Sequence, residues 1–89
     1  MEPFRFAFLV MSPDHSPENQ HACFDTPMSK GLFYGVSSIQ QACQVAQQLA
    51  EAGEVCKIEL CGAFGKEGAQ AVSDAIGGRL TVGYVTNLQ

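Results

Sequence analysis

The sequence predicts an α/β fold: a small, mainly parallel sheet with helices packed on both of its faces. Three observations predict it. Residues 4–11 carry apolar side chains on both faces of an extended strand, and apolar residues over 39–50 recur at intervals of three and four. Residues 55–76 then read as a strand, a glycine-rich turn and a helix in direct succession. Strands that alternate with helices imply parallel pairing through right-handed crossovers.

In the first strand, Phe4, Phe6, Phe8 and Val10 share one face, and Ala7, Leu9 and Met11 follow Arg5 on the other. A strand apolar on both sides is expected inside a sheet covered on both sides. Ser12-Pro13-Asp14 ends it. Ser16-Pro17-Glu18 places a hydroxyl cap, a proline and an acid in helix-starting order, which predicts a short helix over 17–24 before Asp25-Thr26-Pro27. Residues 31–36 form the second strand.

Ser37 and Gln40 have capping-box spacing for a helix over 38–52. Ile39, Ala42, Cys43, Ala46, Leu49 and Ala50 make its buried stripe, and Gly53 stops it. Gln40, Gln41, Gln44, Gln47, Gln48 and Glu51 cover the opposite face, as solvated surface or as an uncharged subunit contact. The third strand spans 55–60. A helix over 66–76 turns Ala69, Val72 and Ile76 inward and halts at Gly77-Gly78, and a fourth strand covers 80–86. The simplest assembly is one domain over 1–89 with a four-stranded sheet of flavodoxin-like order 2-1-3-4. A half-barrel of βα units completed by another subunit is the alternative. Both gather the loops after the first, third and fourth strands at one end of the sheet.

Composition narrows the partners. Charged residues make up 16% of the chain, against roughly 25% in typical soluble domains. A chain this small with so little surface charge is expected to be a homo-oligomer. Its net charge of −4 and five scattered basic residues exclude a nucleic-acid surface. No apolar run approaches the ~20 residues that span a bilayer, so no membrane partner is expected. The start lacks the basic region of a signal peptide, which predicts a cytoplasmic protein. Cys23, Cys43 and Cys56 are expected to be buried, reduced thiols.

The residues that can carry chemistry cluster at the mouth of the last helix. Glu59 shares a strand face with Val55, Lys57 and Cys61 near the strand's end; it reads as an acid hydrogen-bonded to loop N–H groups or paired with a lysine, or as a general base or ligand-orienting group. Cys61 opens the turn, where a helix N-terminus stabilises a thiolate. As a nucleophile it needs a base, and His15, in the loop after the first strand, is the candidate. Gly62, Gly65 and Gly68 fit neither the dinucleotide fingerprint nor the P-loop. They let the backbone turn and the helix pack closely, and would permit close approach to a ligand, with Phe64 as core plug or lid. Asp14, Lys66, Thr86 and Asn87 complete the rim. His15, His21 and Cys23 match no zinc spacing, so no metal and no cofactor are expected.

The run Ile58-Glu59-Leu60-Cys61-Gly62-Ala63-Phe64-Gly65, with Val82-Gly83-Tyr84-Val85-Thr86, resembles a family of short, uncharacterised bacterial proteins. These share a strand and turn reading I-E-L-C-G-x-F-G, a following helix and a closing V-G-x-V strand. The resemblance implies the same elements and no particular activity. Where that family tends to have proline after the second turn glycine, this chain has Lys66, a cation beside the helix mouth. The expected function is an oligomeric module binding a small anionic metabolite at residues 61–68. The alternative is a small lyase, isomerase or hydrolase using Glu59 as base or Cys61 as nucleophile.

Overall fold

The computed structural model describes residues 3–88. Among these, the elements are β1 (Phe4–Met11), β2 (His21–Asp25), β3 (Ser29–Val36), α1 (Ile39–Ala52), β4 (Lys57–Leu60), α2 (Gly65–Ala75) and β5 (Thr81–Tyr84). A 3-10 turn at Gly62–Phe64 leads into α2. The sheet runs β2-β3-β1-β4-β5. β3, β1, β4 and β5 are parallel, and β2 lies antiparallel on the edge of β3. The chain is thus α/β, but its open sheet has five strands where the 2-1-3-4 arrangement has four.

The added strand replaces the helix expected over 17–24. Ser16-Pro17-Glu18 does begin a turn: the N–H groups of Asn19 and Gln20 both donate to the Ser16 carbonyl, at 3.1 and 2.8 Å. Gln20 returns its side-chain oxygen to the Ser16 N–H at 2.7 Å, which closes the turn after one cycle. His21 to Asp25 then extends along β3, pairing Ala22 with Phe33 and Phe24 with Gly31. Thr26 staples the connection, exchanging hydrogen bonds with Ser29 through backbone and hydroxyl. Packing of the Phe24 ring on Phe33, with centroids 5.1 Å apart, outweighs the local helix signal.

Both helices lie on one face of the sheet, not one on each. The crossovers β3-α1-β4 and β4-α2-β5 step across the sheet in the same direction, so a shared hand puts both helices on the same side. There Ala7, Leu9, Leu32, Val36, Ile58 and Leu60 of the sheet meet Val45, Leu49 and Val72 of the helices and Ile76 at the end of α2. The step from β1 to β3 runs the other way. Its connection joins the sheet edge as β2 and leaves the second face without a helix.

Small residues bring the helices together. Gln47 donates its side-chain amide to the Ala75 carbonyl at 3.2 Å, and Gly68 packs under Ile39. The cap of α1 falls one residue later than the expected Ser37. Ser38 Oγ accepts from the Gln41 N–H at 3.1 Å, while Gln41 Oε1 accepts from the Ser37 N–H at 2.7 Å. Gly53, at φ 67°, closes the helix by donating to the Leu49 carbonyl.

A Cβ on Gly68 would stand 2.8 Å from Ile39 Cδ1 and 3.2 Å from Phe64 Cβ. Gly68→Val should therefore cost about 1–3 kcal/mol in urea unfolding, the usual scale of overpacking. Gly68→Ala should cost less, because the tip of Ile39 can swing aside and alanine favours the helix.

Candidate functional site

The mouth of α2 forms where β4 ends. The Cys61 N–H still donates to the Leu9 carbonyl as the last rung of the ladder, at 3.0 Å. The chain then turns through Gly62 and Ala63, both exposed, to Phe64, which is buried and plugs the core. Gly65 enters α2 at φ 63° and ψ −177°, a conformation open only to glycine. Neither the 3-10 turn nor α2 is capped by a side chain, in contrast to α1. Lys66 is exposed in the first turn of α2, next to the acid Glu67. Beyond it a groove of about 220 Å³ runs between α2 and β5, past Gln70, Ser73 and Tyr84. Thr86 and Asn87 follow β5 as exposed chain, and the Val85 carbonyl faces Gly62.

Cys61 and His15 are not brought together. The Met11 N–H donates to Cys61 Sγ at 3.3 Å, so the sulfur sits at the end of β1. The His15 ring lies instead over Gly35 of β3, on the other side of β1. A Cβ on Gly35 would meet His15 Nδ1 at 2.8 Å; that nitrogen is buried and has no hydrogen-bond partner. His15, Gln20, Val10 and Phe33 line a concavity of about 270 Å³ at that corner. Asp14, beside it, is exposed; a hydrogen bond from Ser12 Oγ at 2.8 Å and its own N–H hold its carboxyl below the ordinary value.

Glu59 is paired. Lys57 Nζ lies 2.7 Å from its Oε1, both on the helix-free face, and the carboxylate rests over Gly83 of β5. A Cβ on Gly83 would lie 2.9 Å from Oε2, so the glycine makes the space the acid occupies. The sequence assigns no such role to Gly35, and it shows Gly83 only as part of the closing V-G-x-V strand. A glycine inside a strand is the signal that marks such close approaches.

The thiols divide differently from expectation. Cys23 and Cys56 are exposed, Cys43 and Cys61 half-buried, and all four are free. β4 begins at Lys57, so Cys56 falls just outside it, its Sγ–H donating to the Arg5 carbonyl at 3.0 Å.

These features define a small α/β protein with a one-sided helical cover and an uncapped, glycine-rich helix mouth. The chain belongs to a family of unknown function, DUF6506, whose family model matches residues 4–89. No curated protein and no solved structure matches it.

Burial pushes the Cys43 thiol above its ordinary value of 9.0, so folding favours its protonated form. The folded state then keeps a proton that the unfolded chain releases. That contribution is intact below pH 9.0 and is lost as pH rises through the folded value. Between about pH 8 and about pH 10.5, urea unfolding should therefore show a larger loss of stability in wild type than in Cys43→Ala. Equal losses would mean that α1 and α2 do not desolvate the thiol.

Proposed function

We propose that this protein is a homo-oligomeric binding module for a small anionic metabolite held at residues 61–68. The observation that carries the reading is the bare helix mouth: exposed Gly62 and Ala63, no side-chain cap on either helical start, and Lys66 beside them. The Phe64 and Gly65 N–H groups donate to the Cys61 and Gly62 carbonyls; helical N–H groups left free beside such a turn, at the positive end of the helix dipole, suit an oxyanion. Gly65 supports the reading because its backbone has no Cβ to hold a ligand off.

Binding is favoured over catalysis by what surrounds the reactive groups. An enzyme working through Cys61 needs a base near the sulfur, and His15 lies across β1 on Gly35. An enzyme working through Glu59 needs a free carboxylate, and Lys57 holds it at 2.7 Å.

Calorimetric titration with phosphate, sulfate and a panel of phosphorylated and carboxylated metabolites tests the reading. Wild type should bind at least one of them, Lys66→Ala about fivefold more weakly, on the scale of one partly exposed charge. Gly65→Ala should abolish binding while α-helical circular dichroism persists. No binding across the panel, or equal binding by Gly65→Ala, would remove the mouth as the site.

A further inference from the structure

The helix-free face of the sheet carries a broad array of aromatic rings. Phe6, Phe8 and Phe33 lie at its centre, flanked by Phe4 (53% exposed), Phe24 (66%) and Val10 (38%). The rings form one contiguous array: Phe4 stacks on Phe6 at 5.6 Å, Phe6 meets Phe33 edge-on at 5.8 Å, and Phe8 stacks on Phe33 at 6.3 Å. Parallel sheets are almost always covered on both faces. Among the described residues this chain supplies helices for one face only.

We infer that a second copy of this chain covers the face, the two sheets stacking through their phenylalanines about a twofold axis near Phe8. The inference names the surface behind the homo-oligomer of the proposed function, and it rests on that part of the reading alone.

Charge selects a copy over other occupants. Lys57 and Glu59 neutralise each other on the face, so two copies meet without like-charge opposition even though each carries a net −4. An anionic membrane would need a basic rim, and the chain has only five basic residues in all.

The area fits as well. Strand spacings give the face on the order of 600 Å² of accessible surface, or about 1,200 Å² for a pair, the threshold of a specific interface. The isolated chain exposes 5604 Å², whereas a compact monomer of its mass exposes about 5,000 Å². β1 is the middle strand of five, so an axis near Phe8 lies at the centre of the sheet, with the His15 loop on Gly35 at one corner of the face. Sheets stacked about 10 Å apart leave room for interdigitated rings from both sides.

Sedimentation equilibrium on the full chain at micromolar concentration tests the inference. Wild type should show twice 9.5 kDa, and Phe8→Lys should raise the dimer dissociation constant by about a hundredfold, as two like charges meet at the axis. Gln44→Lys, on the exposed glutamine face of α1, should leave it unchanged. A monomeric wild type would overturn both the inference and the oligomeric reading. A dimer broken by Gln44→Lys but kept by a folded Phe8→Lys would overturn the face and leave the oligomer standing. Should Phe8→Lys not fold, wild type decides. A soluble nitroxide should spare the Phe8 and Phe33 ring signals in the NMR spectrum, and strong broadening of them would overturn the inference. So would dissociation of the dimer onto phosphatidylcholine vesicles, which would assign the face to lipid.

Discussion

The common hand of two crossovers governs this structure. β3-α1-β4 and β4-α2-β5 advance in the same direction, so both helices are committed to the same side of the sheet. Among the described residues, the connection between β1 and β3 runs the other way. It spends its residues on a loop, one helical turn and an edge strand, and the second face receives none of the cover that a doubly wound sheet would give it.

What was legible in the sequence follows from which forces are local. The stripe of α1 and its terminal Gly53 are encoded within a few turns of chain; the structure moves the cap by one residue and adds Val45 to the buried stripe, with Ile39, Cys43 and Ala50 only partly covered. The two faces of β1 are equally plain in Phe4 to Met11, but the sequence does not say that one of them is left bare. His21 to Asp25 shows why the edge strand was missed. Its period-two alternation of Ala22 and Phe24 was present, yet the helix-start signal at Ser16-Pro17-Glu18 was closer to hand. The contact that decides the matter, Phe24 on Phe33, is non-local.

The same division holds for the candidate residues. Pairing of Glu59 with Lys57 was readable, because residues two apart on a strand share a face. The positions of His15 and Cys61 were not, because they depend on which neighbour of β1 each loop leans toward. Three glycines of the open face record those choices: Gly31 lies under Phe6, Gly35 under His15 and Gly83 under Glu59. Each is a flat place in the sheet that a side chain from elsewhere occupies, in the manner of an aromatic ring covering a strand glycine.

The central position of β1 also sets an order of events during synthesis. Phe4 to Met11 leaves the ribosome before either of its neighbours, which lie at 29–36 and 57–60. Until both arrive, a strand with one charge in eight residues and no proline has nothing of its own to pair with. Such segments are the ones that join to one another in nascent chains. The strand that ends at the heart of the sheet is therefore the one that waits longest for both neighbours, and its safekeeping falls to the speed with which β3 follows it.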